Sequence, residues 1–176
     1  MIRFTRRLLL ALALLLPIAG LAPALAIEKP LVLEEFFRGT LHAKGSFTSR
    51  IDGSKRGLDV VMKGSWDRKT QTLTLVEDFV FSDGEKDRKT WRFRKTGPGT
   101  YAGTREDVLG EARIWQDGRD IRLAYSARLK TKGGSAFDVR FDDVLAQTGP
   151  KTVRNTATVH WWFLTVGDVE LTIVRR

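Results

Sequence analysis

The sequence contains no cysteine. That excludes disulfides, thiolate nucleophiles and cysteine-ligated metals. It also excludes a lipoprotein anchor, which is attached through a cysteine. Histidine is almost as scarce: His42 and His160 are the two in 176 residues. They lie too far apart for a local zinc motif, and neither a glycine-rich nucleotide loop nor a nucleophile elbow occurs. Nothing in the residues calls for a metal or a cofactor. Beyond the first 26 residues there is no convincing amphipathic helix, and no apolar run long enough to cross a membrane as a helix.

What is present begins with those first residues. Arg3, Arg6 and Arg7 precede an apolar run over 8–16, and the segment closes on Ala24-Leu25-Ala26. A basic start, a short apolar centre broken by Pro17 and a small-x-small end predict a secretory leader cleaved after Ala26. The expected mature chain is residues 27–176, 150 in number, a size typical of one domain. Its expected location is the periplasm. The leader takes three arginines and no acid with it, lowering the net charge from +9 to +6. Acids and bases alternate along the chain, which argues for a mixed solvated surface and against nucleic-acid binding. Peripheral contact with anionic lipid headgroups stays open. Oligomeric state is not legible.

The mature chain is dominated by period-2 alternation, the mark of strands with one buried face. Leu41, Ala43, Gly45 and Phe47 share one parity; so do Leu58, Val60, Met62, Gly64 and Trp66. Leu73, Leu75, Phe79 and Phe81 continue the pattern, interrupted by Glu77. Trp91 and Phe93 follow, then Tyr101 and Gly103. Ile121, Leu123, Tyr125, Ala127 and Leu129 form a further set, then Phe137, Val139 and Phe141. Val153 to Trp161 and Val169 to Ile173 complete the series. Short turns such as Ser82-Asp83-Gly84-Glu85 and Gly97-Pro98-Gly99 separate the runs. The reading is all-β, an antiparallel up-and-down β-barrel of about ten strands. Closure hides the apolar face and removes free edges. A short helical turn over Leu33-Glu34-Glu35-Phe36-Phe37 precedes the strands and is placed to plug one end.

The apolar parity supplies the candidate ligand-binding residues: Phe79, Phe81, Trp91, Phe93, Tyr101, Tyr125, Phe137 and Phe141, all expected inside the barrel. They are read either as a filled core or as the wall of a cavity for a small apolar ligand or lipid. Glu77, Asp107 and His160 are possible polar site residues, the two acids because they interrupt regular stretches. The pair Asp142-Asp143 is read with other acid clusters as part of a turn. Arg92, Arg122 and Arg140 are expected to face outward. Which parity points inward between Val153 and Trp162 is left open, since either carries a tryptophan. No catalytic residue is assigned.

Several segments resemble the DUF3833 family of exported bacterial proteins: Leu33-Glu34-Glu35-Phe36-Phe37, Gly64-Ser65-Trp66, the stretch from Glu77 to Glu85, Tyr101-Ala102-Gly103-Thr104, Gly110-Glu111-Ala112, Phe141-Asp142-Asp143 and Val166-Gly167-Asp168-Val169. The resemblance implies a lipocalin-like (calycin) barrel and brings no established activity. The expected function is therefore a periplasmic lipocalin-like protein that binds or carries a lipid or fatty-acid-like ligand. Two alternatives stand beside it: a lipid-modifying enzyme or isomerase using a buried acid, and a structural envelope protein docking through a sheet face or edge.

Overall fold

The computed structural model describes residues 29–130 and 134–176. The leader read over residues 1–26 lies outside them. The described chain opens with one helical turn, α1 (Leu33–Phe36), followed by ten strands. These are β1 (Gly39–Ser49), β2 (Lys55–Asp67), β3 (Thr72–Phe81), β4 (Lys86–Gly97), β5 (Thr100–Thr104), β6 (Ala112–Asp117), β7 (Asp120–Lys130), β8 (Ala136–Gly149), β9 (Thr152–Trp161) and β10 (Leu164–Arg175).

Each strand pairs antiparallel with its neighbours in sequence, and β1 closes the ring by pairing with β10, from Leu41 opposite Arg175 to Ser49 opposite Gly167. The barrel is the up-and-down meander that the alternation implies. The apolar parity faces inward on every long strand: Leu41, Ala43, Val60, Leu73, Leu75, Trp91, Phe93, Val139, Val153 and Ile173 are all buried. Ion pairs such as Lys44–Asp59 (2.9 Å) and Arg128–Asp138 (2.8 Å) dress the outer face. Exposed pairs of this kind add little to stability.

The two ends of the barrel differ. At one end α1 forms a plug, with Leu31, Leu33, Phe36 and Phe37 buried and the two phenyl rings edge to face at 5.1 Å. The Leu31 amide donates to the Arg119 carbonyl in the β6–β7 turn (3.1 Å), and Arg175 donates to the Glu35 carbonyl (3.1 Å). Glu34 accepts from Lys95 at 2.5 Å and from the Tyr101 hydroxyl. Burial works to raise the Glu34 pKa, but these two donors outweigh it and hold the carboxyl below its ordinary value. The plug is thus tied to the wall by polar contacts as well as by packing. The opposite end is open.

β5 and β6 are short, and between them the chain leaves the ladder through residues 105–111. This loop patches the wall. The Leu109 amide donates to the Ser126 carbonyl and the Arg128 amide to the Asp107 carbonyl, both at 2.8 Å, while the Glu106 carboxylate accepts from the Thr90 amide at 2.8 Å. The segment therefore spans β4 to β7 where a regular strand is missing, and it turns the side chains of Arg105 and Asp107 toward the interior.

Candidate functional site

Above the plug the barrel encloses a cavity of about 1290 Å³. That exceeds the usual range for small-molecule sites, roughly 300–1,000 Å³. Leu33 and Phe37 of the plug reach into its floor, and its walls come from every long strand. Of the eight aromatics expected inside, seven line it: Phe79, Phe81, Trp91, Phe93, Tyr125, Phe137 and Phe141. Four of them make a continuous run of ring contacts along the wall. Trp91 stacks on Phe93 (4.9 Å), Tyr125 meets Trp91 edge-on (5.1 Å) and Phe141 stacks on Tyr125 (5.0 Å).

Tyr101 departs from the expectation. Its parity is inward and its side chain is buried, but it lies at the plugged end and does not line the cavity. Its hydroxyl is committed to Glu34, so it belongs to the plug.

The cavity wall carries a polar cluster within this aromatic surround. Glu77 on β3 and Asp143 on β8 are 7% and 8% exposed. Glu77 makes no hydrogen bond or ion pair with any described residue. Asp143 accepts from the Asn155 side-chain amide through Oδ1 (2.9 Å), while its Oδ2 is buried without a partner. Arg105 joins the cluster from the loop and its charge acts on both carboxyls. Its guanidinium is 4.6 Å from the Trp91 ring centre and 5.4 Å from that of Tyr125, and it donates to Asp107 at 2.7 Å.

The electrostatics follow from burial. Loss of water pushes Glu77 up to about 7; Arg105 opposes the shift, and the negative charges of Asp143, Asp107 and Glu106 reinforce it. Burial likewise raises Asp143 to about 6, against the Asn155 hydrogen bond and the Arg105 charge. Burial also works against the Arg105 charge, yet its anionic surroundings hold it firmly protonated. The Tyr125 hydroxyl is pushed well above its ordinary value by burial first and by Asp143 second.

Glu77 and Asp107, singled out in the sequence as interruptions, both line the cavity. His160 is a correction. The inward parity of β9 is Val153, Asn155, Ala157, Val159 and Trp161, so His160 faces outward, 3.5 Å from Asp142 and 3.2 Å from Thr165. Arg122 and Arg140 face outward as expected, paired to Asp117 and Asp142. Arg105, Asp143 and Asn155 were missed as site residues. Asp143 had a signal: it falls on the Phe137, Val139, Phe141 parity, which continues through a strand that runs on to Gly149. Asn155 sat on a marked parity too, but Arg105 has none, because it occupies the irregular loop.

Among the described residues no three acidic or histidine side chains converge on a metal-binding arrangement. The barrel has no free edge among them, so edge docking has no strand available. At the open rim stand Ile51, Leu109, Phe137 and the tip of the β9–β10 hairpin, Trp161-Trp162-Phe163-Leu164. Trp162 and Phe163 are 85% and 86% exposed.

Among solved structures, the S-type phycobiliprotein lyase CPES from Guillardia theta matches at 10% identity, covering 83% of this chain and 93% of its own, with a TM-score of 0.59. EF1p2_mFAP2b bound to DFHBI is similar at 14% identity over 81% and 95% of the two chains, with a TM-score of 0.43. The first likeness shows a shared β-barrel fold. No functionally curated protein matches the sequence. A family model described as a protein of unknown function, DUF3833, matches residues 23–175, and the chain belongs to that family.

Proposed function

We propose that this protein is an exported carrier that takes a lipid or another small apolar molecule into its barrel. The observation that carries the reading is the open, aromatic-walled cavity of about 1290 Å³ above a sealed floor. A space this large, lined mainly by apolar side chains, gains free energy when an apolar ligand displaces its water. The test is titration with the neutral dye Nile red. Saturable binding with a blue-shifted emission is expected. Ala157, buried on β9 and lining the cavity, is the place to block it. Ala157→Trp fills the interior and is expected to weaken dye binding at least tenfold. Equal binding by this variant would put the dye on the outside and remove the support for a carrier.

The carrier exchanges its ligand at a membrane surface, in this reading, with the rim facing the lipid. Trp162 and Phe163 project where an apolar ligand would enter. Tryptophan favours the bilayer interface, where its ring is apolar and its N–H remains wet. The backbone adds an independent point. Trp162 has φ 56, at the first central position of a two-residue hairpin turn, where glycine or asparagine is favoured. A bulky residue there costs about 1 kcal/mol in local strain. The net positive charge of the chain also favours anionic headgroups. Trp162→Gly is therefore expected to keep or raise thermal stability while lowering co-sedimentation with phosphatidylethanolamine–phosphatidylglycerol vesicles by severalfold. Unchanged sedimentation would dismiss the rim as a membrane contact.

A second reading, proton-transfer chemistry on the bound molecule, is favoured by two carboxyls poised near neutrality in an apolar pocket. It needs Glu77 and Asp143 in different protonation states. Neither Tyr101, committed to Glu34, nor His160, beside Asp142 on the outer face, supplies a partner group.

A further inference from the structure

We propose that the ligand of this cavity carries a cationic, hydrogen-bond-donating head group, an ammonium on an apolar tail, seated between Glu77 and Asp143. The inference rests on the carrier reading and specifies what the carrier selects. Three observations lead to it.

Two cations of the cavity wall, Arg105 and Lys89, are already matched, while Lys86 and Lys130 line it without an ion pair to a described residue. Arg105 is held by Asp107 at 2.7 Å, and Lys89 by Asp87 at 3.0 Å. The two carboxyls facing the interior have no counter-ion of their own. Asp143 Oδ2 is buried with no donor, and Glu77 has no hydrogen bond or ion pair to a described residue. Buried carboxylate oxygens are normally satisfied, and leaving them bare costs more than most single contacts contribute. A pair of bare acceptors opening into a ligand-sized space is what a donor group on the ligand would complete.

The surround suits an ammonium rather than a carboxylate. A fatty acid would bring a further negative charge to a cluster that already holds Glu77, Asp107 and Asp143, while Arg105 is engaged. An ammonium brings up to three donors and one positive charge. The aromatic wall already holds one cation, the Arg105 guanidinium over the Trp91 and Tyr125 rings, which shows that this surround accepts positive charge. Burial raises both acids toward neutrality, so their negative charge is poised to respond to an arriving cation.

The experiment is displacement of Nile red from the purified full-length protein at pH 7.5 by dodecylamine, dodecanol and dodecanoic acid, each below its aggregation concentration. Dodecylamine is expected to displace the dye at least tenfold more tightly than dodecanoic acid, with dodecanol between them. Glu77→Gln and Asp143→Asn, each checked for an unchanged far-ultraviolet dichroism spectrum, are expected to remove most of that preference, read as the ratio of amine to acid displacement against each variant's own Nile red affinity. Equal or stronger displacement by dodecanoic acid, with the dye bound normally, overturns the head-group assignment and leaves the carrier standing. Retention of the amine preference by both variants also overturns it. Failure of the unaltered protein to bind Nile red at all overturns the carrier reading itself.

Discussion

Glu77→Gln is expected to raise the free energy of unfolding by about 2–3 kcal/mol at pH 8 and to leave it nearly unchanged at pH 4.5. Glu77 sits at about 7 in the folded chain against an ordinary value of 4.5, and each tenfold gain in proton affinity is worth about 1.4 kcal/mol. The sign follows from proton binding. Between about 4.5 and 7 the folded state holds the Glu77 proton more tightly than the unfolded chain does, so stability falls as pH rises through that window. Below it both states are protonated and the penalty vanishes. Asp143, raised from 3.8 to about 6, adds a second loss over a slightly lower range. Glutamine is close in shape to the protonated acid and cannot ionise. Asp78, Asp138 and Asp168 are held low by arginine partners and act in the opposite sense, their contribution being lost in acid. Urea unfolding of both proteins at pH 4.5, 6 and 8 reads the effect directly. A parent protein whose stability is flat or rising from pH 5 to 8 would show that the two carboxyls are hydrated, and the desolvated site would fall with it.

A second large effect is expected at Gly64, where a methyl group should cost about 3 kcal/mol. Gly64 is on β2, and a Cβ built there would overlap the carbonyl oxygen of Phe37 at the end of the plug. Backbone cannot yield as a long side chain can, so the strand or the plug must move. Overpacked interiors usually lose about 1–3 kcal/mol, more where the neighbour is rigid. Moving the plug also disturbs the Glu34 contacts with Lys95 and Tyr101. Gly64→Ala is therefore expected to lower the thermal midpoint by several degrees and to loosen the cavity floor. Amide exchange around Phe36 and Phe37 is the second measurement. A variant as stable as the parent, with an unchanged plug, would mean that the helical turn does not rest on β2 as described.

These expectations sit on residues of unequal legibility. The strand count, the meander order and the plug were readable because alternation and turn chemistry are local signals. Phe79, Phe81, Trp91 and Phe93 line the cavity on the inward parity that alternation makes legible. Tyr101 shares that parity without lining the cavity, since parity gives the side of a sheet and not the height along the barrel; the plug fills the end where it stands. His160 lay on a strand with a tryptophan on both faces, so composition could not choose the face. Asp143 was hidden by its neighbour, since two adjacent aspartates look like a solvated turn unless the strand is followed to Gly149. Arg105 was beyond reach because no periodicity survives in the loop that patches the wall. Only the Arg105 and Asp107 part of the site lies where the regular pattern fails.

The meander also dictates how this molecule can come together. Every strand pair in the ring joins neighbours in sequence except one, β1 with β10, which brings Leu41 to Arg175. Nine hairpin contacts can form early, because short loops cost little entropy to close. The last must draw together the two ends of an almost finished curved sheet. That seam passes Gly45, where β1 lies so close to the Glu170 carbonyl that a side chain has no room. Ring closure is thus the step that traps the interior, and slow hydrogen exchange should be lost first along the β1–β10 line when the barrel breathes.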